Sequence, residues 1–195
     1  MWLSSVSEKR YHNTVRSWYS ANINEFASTS TDEIIGHLSQ SCVNDGFTAE
    51  RAQIDAWKDE IAILRVAVKK INNATLYLEF NIPRMGKRID AIILIHSDKP
   101  HILVLEFKVG QDKFITSDID QVIDYSLELR NFHQGSHNAT IFSVLVATKY
   151  DEEPINNANV YCMGSKHIAE LRRLFKLYII IEMNTLKTLL LQVSM

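Results

Sequence analysis

Glycine, proline and cysteine are all scarce in this chain of 195 residues, which contains six Gly, three Pro and two Cys. So few Gly and Pro exclude a collagen-like chain and leave little room for a long flexible linker. Cys42 and Cys162 stand far apart with no Cys-x-x-Cys spacing, which is typical of buried thiols in a reduced compartment. No cluster of His and Cys residues indicates a zinc site. We therefore expect one globular domain that needs neither a disulfide nor a structural metal.

The chain also lacks a dominant charge and a long apolar run. Its 21 Lys and Arg residues against 23 Asp and Glu residues give a formal net charge of -2, so contact with nucleic acid requires a local basic patch. The longest apolar runs, 91–95 and 177–181, are about a quarter of the roughly 20 residues that span a bilayer. No apolar signal-peptide core follows the N-terminus. These features predict a cytoplasmic protein with no membrane partner.

The first 70 residues carry helical signals. Ser30 and Glu33 form the Ser-x-x-Glu pattern of a capping box ahead of apolar residues at helical spacing. The Asp45-Gly46 pair marks a turn after that helix. A long helix over 49–71 follows, because its apolar residues recur every three or four positions. Residues 1–47 are therefore expected to form a helical N-terminal extension.

From residue 73 the apolar period changes from about 3.6 residues to two, which indicates strands. The expected fold class is α/β, with a mixed central sheet flanked by helices in one domain. Residues 48–150 would form its core and residues 151–195 would add a C-terminal strand and helix. The elements predicted after residue 73 are strands around 76–80, 88–95 and 101–109, a helix over 118–132, strands over 140–147 and 159–163, and a helix over 165–178.

Three charged residues, Asp90, Glu106 and Lys108, adjoin or interrupt apolar strands. Alternation along a strand puts Glu106 and Lys108 on one face, about 6–7 Å apart. If the second and third strands pair through the turn at 96–100, Asp90 lies near Glu106. Two carboxylates about 4 Å apart repel by roughly 4 kcal/mol at an effective dielectric of 20. A divalent cation converts this repulsion into binding, and oxygen ligands suit Mg²⁺.

Such a site has the parts needed to hydrolyse a phosphodiester. A bound metal ion polarises a phosphate oxygen and lowers the pKa of a bound water, while Lys108 supplies positive charge beside the water or the transition state. The simpler interpretation is a solvated Glu-x-Lys pair, which arises by chance at 23% charged residues. The apolar character of the surrounding strand favours the functional interpretation.

These residues resemble the signature of the PD-(D/E)XK nuclease superfamily, which has an Asp on one strand and Glu/Asp-x-Lys on the next within an α-β-β-β-α-β core. Asp90, Glu106 and Lys108 match that signature, with Ile89 where the family often has Pro. Family members also place a Glu on the helix before the sheet, and Glu60 matches it. The resemblance thus implies a restriction-endonuclease-like core with Asp90, Glu106 and Glu60 as metal ligands.

The RecB-like branch of this superfamily carries Gln-x-x-x-Tyr on the helix after the third strand. Gln121 and Tyr125 match that pattern, and their spacing puts both on one helical face. More narrowly, the run from Gln53 and Trp57 through Val-Leu-Glu-Phe-Lys-Val-Gly is similar to the nuclease-like domain upstream of bacterial Schlafen-like helicase ATPases. The resemblance covers about residues 30–150. The chain has no Gly-x-x-x-x-Gly-Lys-Ser/Thr loop, so the helicase half is absent from it.

The resemblance implies a nuclease that cleaves DNA, with Mg²⁺ or Mn²⁺ as its metal and RNA as an alternative substrate. A homodimer and a helicase partner are further expected alternatives. Glu79 alternates with Leu78 and Phe80 and is either an outward-facing strand residue or part of the site. Basic residues flanking the site either hold phosphates or form a solubilising rim: Arg84, Lys87, Arg88 and Lys113.

Other interpretations stay open. Glu60, Gln121 and Tyr125 could be ordinary polar residues on helix faces. The whole chain could be a catalytically inactive module of the same fold that binds nucleic acid or a partner protein, and the net charge of -2 mildly favours this. It could also be an isolated fragment of a larger helicase-nuclease, for which the sign would be an exposed apolar patch at Leu186, Leu189, Leu190 and Leu191.

Overall fold

The computed structural model of the chain describes residues 16–132 and 136–180. In chain order, the elements are β1 (Tyr19–Asn22), α1 (Ile23–Ser28), α2 (Thr31–Asn44), α3 (Arg51–Val68), β2 (Ala74–Ile82), β3 (Lys87–Ile95), β4 (His101–Lys108), α4 (Thr116–Phe132), β5 (Thr140–Ala147), β6 (Ile155–Asn157), β7 (Val160–Gly164) and a 3₁₀-helix (Ser165–Glu170) that leads into α-helical residues 171–180. The apolar patch predicted at Leu186, Leu189, Leu190 and Leu191 lies outside the described residues. The part of the predicted helical extension before residue 16 lies outside them as well.

These strands form one mixed sheet in the order β1-β2-β3-β4-β5-β7-β6. The strands from β1 to β4 pair antiparallel, whereas β4, β5 and β7 pair parallel, with β6 antiparallel at the far edge. Parallel neighbours need a crossover connection, and α4 supplies it between β4 and β5. The predicted α/β class, with a mixed sheet flanked by helices, is thus confirmed.

Helices cover both faces of the sheet and create two hydrophobic cores. The first core lies between the sheet and α1, α2, α3 and residues 171–180, with Trp57 and Leu64 of α3 fully buried in it. The second lies between the sheet and α4, around Val122 and Leu129. Every residue of β5 is buried, because a strand covered on both faces has apolar side chains at successive positions.

Side chains tie the N-terminal helices to this sheet. The Ser30 hydroxyl oxygen accepts a hydrogen bond from the Glu33 backbone N–H at 3.2 Å, which confirms the predicted start of α2. The Arg65 guanidinium of α3 donates to the backbone carbonyls of Phe26 and Thr29. Since the last carbonyls of a helix have no partner within it, Arg65 satisfies the end of α1 and anchors that helix to α3.

Two elements differ from the sequence predictions. Residues 19–22 form an edge strand instead of part of a helical extension, because Tyr19 and Ala21 are buried, alternate with exposed residues and pair with β2. The short strand β6 was not predicted, since all of its residues are exposed and no apolar alternation marks it. Within the described ranges, no helix combines the length and the apolar character that crossing a bilayer requires.

Gly164, at the end of β7, permits a close approach to the loop after β5. A Cβ atom on this residue would lie 1.9 Å from the Tyr150 carbonyl oxygen, whereas one on Gly36, within α2, would meet nothing within 4 Å. We expect Gly164→Ala to lower the free energy of unfolding by about 2 kcal/mol or more, because backbone must move. The matched control Gly36→Ala should raise it by about 0.5–1 kcal/mol, since alanine favours helices. Urea unfolding of both variants checks this, and equal stabilities would contradict it.

Candidate functional site

The candidate site lies where β3 and β4 separate. Their pairing runs from Ile95 and His101 to Ala91 and Leu105, and Asp90 and Glu106 are the next residue on each strand. The Asp90 Oδ2 atom accepts a hydrogen bond from the Phe107 backbone N–H at 2.7 Å. The Asp90 carboxylate thus takes the place of a β3 backbone carbonyl as the acceptor for this β4 N–H. The structure brings Asp90 and Glu106 together as the strand alternation predicts.

Glu79 of β2 is an additional member of the site. Leu78 pairs with Ala91 and Phe80 with Ile89, so Glu79 lies opposite Asp90. Its backbone has a φ of 53°, a left-handed conformation that costs energy for a residue other than glycine and often marks functional sites. The Trp57 indole N–H donates to Glu79 Oε1 at 2.8 Å and fixes that carboxylate.

Around Glu79 and Asp90, the alternating side chains of β2 and β3 switch from one face of the sheet to the other. On β2, Leu78 packs in the first core and Phe80 in the second, and on β3 Ala91 and Ile89 divide in the same way. In a regular strand, residues two apart share a face. The change therefore comes from the backbone around Glu79 and its opposite residue. It lets acidic side chains from this region reach the gap between the two cores.

Three polar side chains surround the Lys108 ammonium group on the α4 side of the sheet. Its Nζ atom donates to Glu106 Oε1 at 3.0 Å and to Gln121 Oε1 at 3.1 Å, and it lies 3.6 Å from Asp118 Oδ1. Burial lowers the pKa of Lys108, but the charges of Glu106, Asp118 and Asp90 raise it, and the net pKa lies above its ordinary value. Lys108 is therefore a fixed cation at neutral pH.

Gln121 and Tyr125 of α4 hold this arrangement in place. The Gln121 Nε2 group donates to Glu106 Oε1 at 2.8 Å and to the Tyr125 hydroxyl oxygen at 2.6 Å. The Tyr125 hydroxyl in turn donates to the Arg88 carbonyl at 2.9 Å. Burial and the Glu106 charge raise the pKa of Tyr125, so its hydroxyl keeps its proton. Both side chains therefore belong to the site and not to a solvated helix face.

The Tyr125 hydroxyl can be tested by its removal. Tyr125 is 1% exposed, so Tyr125→Phe would leave the Arg88 carbonyl without this donor. We expect a loss of about 1 kcal/mol in the free energy of unfolding. Tyr150→Phe is the control, because that hydroxyl bonds to the Glu153 carbonyl at an exposed position and its removal should change stability by less than about 0.5 kcal/mol. Denaturant melts that gave the two variants the same stability would contradict the anchoring role of Tyr125.

Glu60 reaches the site from α3, on the opposite face of the sheet from Gln121. Its side chain is buried, with 9% of the residue exposed. Burial, together with the charges of Glu79 and Glu106, raises the pKa of Glu60 well above its ordinary value. This excludes the interpretation of Glu60 as a solvent-facing helix residue.

Burial disfavours the charged forms of four acidic side chains, Glu60, Glu79, Asp90 and Glu106. Burial and the charges of Glu106 and Glu60 raise the pKa of Asp90 well above its ordinary value. Burial raises the pKa of Glu106, although Lys108 and contacts with Asp90 lower it. Burial also raises the pKa of Glu79, although the Trp57 hydrogen bond and Arg88 lower it. Among residues 16–132 and 136–180, Lys108 is the cation in direct contact with this group, which therefore carries excess negative charge when ionised.

Asp118 is a residue of the site that the sequence analysis missed. It is buried at the start of α4, and its Oδ1 atom lies 3.6 Å from Lys108 Nζ. Asp118 precedes Gln121 by three residues and Tyr125 by seven, so all three lie on one helical face. That spacing is the signal that could have identified it.

The four basic residues predicted near the site differ in their surroundings. Arg84 lies 3.1 Å from Glu128 in an ion pair. Arg88 lies 2.7 Å from Asp45 and its side chain is 21% exposed, so its charge is already balanced. Lys87, at the start of β3, and Lys113, in the loop after β4, are exposed. These two lysines are therefore accessible to a phosphate in solution.

No protein-family model matches the chain, and no curated protein matches it in sequence. The function of the site therefore has to be inferred from its own residues. Among the residues that the structure describes, no three His, Cys, Asp or Glu side chains are grouped as a metal-binding set. The main features of the site are the neighbouring Asp90 and Glu106 carboxylates and the hydrogen bond from Lys108 to Glu106.

Proposed function

We propose that this protein is a Mg²⁺-dependent nuclease that hydrolyses DNA phosphodiester bonds, with Mn²⁺ as an alternative metal. Asp90 and Glu106 would be the metal ligands and Lys108 the cation beside the reacting phosphate. The observation that carries this proposal is the contact between Lys108 and Glu106, next to Asp90, at the point where two central strands separate. Glu106 is buried and Asp90 is partly buried, and a charge withdrawn from water is costly unless it is paired or holds a metal ion.

The donor atoms at this point fit a divalent cation. Among the described residues, the Glu106 Oε2 atom is buried and has no hydrogen-bond partner. An orphaned carboxylate oxygen beside a second carboxylate is a cost to the fold that a cation removes. Mg²⁺ is usually bound by one or two carboxylates and keeps several waters, so two protein ligands suffice. Glu60 is assigned to a supporting role, as a further carboxylate near the bound waters.

Each residue then has a defined task. A bound Mg²⁺ would supply Lewis-acid chemistry, by polarising the phosphate and acidifying a water. Lys108 stays protonated, so it cannot act as a general base. Its charge orients the attacking water and offsets negative charge on the phosphate. Gln121 contacts both Lys108 and Glu106 and keeps their separation constant, and Tyr125 fixes Gln121 in turn.

The order of the elements supports the same proposal. Helix α3, strands β2, β3 and β4, helix α4 and strand β5 follow one another along the chain. This is the α-β-β-β-α-β order that the resemblance to the PD-(D/E)XK superfamily implies. We propose that the core is restriction-endonuclease-like and closest to the RecB-like branch, since Gln121 and Tyr125 take part in the site.

A second candidate function is a module of the same fold that binds nucleic acid or a partner protein without cleaving. Two observations favour it. No group of three possible metal ligands is found in the described part of the chain, and Arg88 is neutralised by Asp45. A module of this kind would keep the acidic pair as a regulatory or structural feature.

A cleavage assay separates the two functions. The purified chain is incubated with plasmid DNA, linear single-stranded DNA and RNA, each in Mg²⁺, Mn²⁺ or EDTA. We expect DNA cleavage with either metal and none with EDTA, because Asp90 and Glu106 would act through the bound ion. Substrates that are retarded on a native gel but stay intact with both metals would contradict the nuclease proposal and favour the binding module.

A further inference from the structure

A cavity of about 400 Å³ lies next to the acidic residues, on the α2 and α3 side of the sheet. Glu79 lines it, and Glu79 lies opposite Asp90 in the register of β2 and β3. One residue that lines the cavity is therefore the cross-strand neighbour of Asp90, one of the proposed metal ligands. Its volume is within the range of small-molecule sites, which runs from about 300 to 1,000 Å³. The other lining residues that matter are Trp18, Phe47, Gln53 and Arg88.

The charged residues that line this cavity do not favour the binding of a phosphate. The Arg88 guanidinium donates to Asp45 Oδ2 at 2.7 Å, and the Trp18 indole N–H donates to the same oxygen, also at 2.7 Å. Arg88 also lies over the Trp18 ring, 4.1 Å from its centroid, and 5.2 Å from the centroid of Phe47. Arg88 therefore lies between two aromatic rings and helps to hold them in place. Because its charge is already balanced by Asp45, it attracts phosphate weakly.

The aromatic surface of the cavity is open to solvent. Phe47, in the loop between α2 and α3, is 55% exposed, so its ring is accessible to a ligand in solution. Gln53, on the exposed side of α3, adds a carboxamide that can donate and accept hydrogen bonds. An exposed ring with an amide beside it is the chemistry that binds unpaired nucleobases, by stacking and by contacts to the base edge.

We infer that this cavity holds one unpaired nucleobase of the substrate strand, stacked on Phe47 with its edge near Gln53. The inference rests on the proposed nuclease function and defines its substrate class as single-stranded or locally unpaired nucleic acid. A base within an intact duplex is stacked and paired, so it cannot enter such a cavity unless it is extruded. The phosphate next to the bound base would then lie beside Asp90 and Glu106.

The test measures binding in EDTA, so that it does not depend on cleavage. Four fluorescent probes of equal length are compared by anisotropy: single-stranded DNA, a strand of abasic sites with the same phosphates, single-stranded RNA and duplex DNA. We expect single-stranded DNA to bind about 10-fold more tightly than the abasic strand, because stacking adds affinity with every base that is held. Phe47→Ala should remove most of this difference and Gln53→Ala part of it. Ile155→Ala, at an exposed residue of the far edge strand, should leave it unchanged.

Each outcome of the binding and cleavage measurements supports or contradicts one of the two proposals. Equal affinity for the single-stranded and abasic probes, or a Phe47→Ala variant that binds like Ile155→Ala, would overturn the inference. RNA binding equal to DNA binding supports it and extends the substrate class to RNA, while weaker RNA binding supports it and restricts the class to DNA. Base-dependent binding without metal-dependent cleavage would refute the nuclease proposal alone. Cleavage with base-independent binding would refute the base cavity alone.

Discussion

Lys108→Met is expected to reduce Mg²⁺-dependent DNA cleavage by about 100- to 1,000-fold. This is the usual cost of removing one group that stabilises developing charge in a transition state. Methionine keeps the apolar stem of the lysine but cannot orient a water or face a phosphate with positive charge. Glu106 keeps its hydrogen bond from Gln121 at 2.8 Å, so this proposed metal ligand stays in place. The measurement is the initial rate of cleavage of the substrate that the wild-type chain cleaves.

Two controls make the Lys108→Met result specific. Lys149→Met removes an exposed lysine from the loop after β5 and should cleave like the wild type. Lys108→Met should melt below the wild type, because Asp118 and Gln121 lose their contacts with the lysine, so cleavage is compared at a temperature at which both proteins are folded. Cleavage at the wild-type rate by Lys108→Met would remove this lysine from the mechanism.

Asp90→Asn should abolish metal-dependent cleavage and at the same time stabilise the metal-free protein at neutral pH. The loss of a ligand costs several kcal/mol of transition-state stabilisation, which corresponds to a rate at least about 1,000-fold lower. The gain in stability has a separate cause. Burial and the charges of Glu106 and Glu60 raise the pKa of Asp90 well above its ordinary value, so the folded state resists ionisation of this group. Asparagine cannot ionise, and its side-chain oxygen can still accept from the Phe107 N–H.

The sign of the pH dependence follows from linkage. Because the pKa of Asp90 is higher in the folded than in the unfolded chain, the folded state binds more protons between the two values. The free energy of unfolding therefore falls as pH rises from the unfolded pKa, 3.8, through the raised folded pKa. Below both values this contribution is fully present. At neutral pH without metal, we expect the variant to melt about 3 °C or more above the wild type.

Thermal melts from pH 4 to pH 8 in EDTA, repeated with Mg²⁺, test the prediction for Asp90. The wild type should gain stability on adding Mg²⁺ at pH 8 and gain little at pH 4, where protons compete for the carboxylates. Asp90→Asn should lose most of that gain. Asp98→Asn, at an exposed turn residue, is the control and should behave like the wild type. A metal-free Asp90→Asn variant less stable than the wild type across this range would show that Asp90 is structural.

The central pair could be predicted from sequence because strand alternation and hairpin pairing are rigid geometrical rules. They place Glu106 and Lys108 on one face and Asp90 beside them, and the structure has them there. The i, i+4 spacing likewise placed Gln121 and Tyr125 on one side of α4. These relations depend on residues close in sequence or on a single turn, and local rules suffice for them.

Other features depend on contacts between distant parts of the chain. The role of Glu79 depends on the register between β2 and β3 and on a left-handed backbone conformation, neither of which alternation reveals. The balanced charge of Arg88 depends on Asp45, which is 43 residues away. The strand at Tyr19–Asn22 forms because pairing with β2 outweighs its weak local preference.

The residues of the site come from both sides of the sheet, with Glu60 on a helix made early in the chain and Gln121 on a helix made late. A ribosome-bound chain that ends before α4 has the pair at 90 and 106 but lacks the glutamine that positions the lysine. If the protein is the proposed nuclease, the arrangement of Glu106, Lys108 and Gln121 would form only once α4 has been made, so that a nascent chain would not cleave nearby DNA or RNA. By the same logic, proteolysis that separated α3 from α4 would disrupt the site even with all of its acidic residues intact.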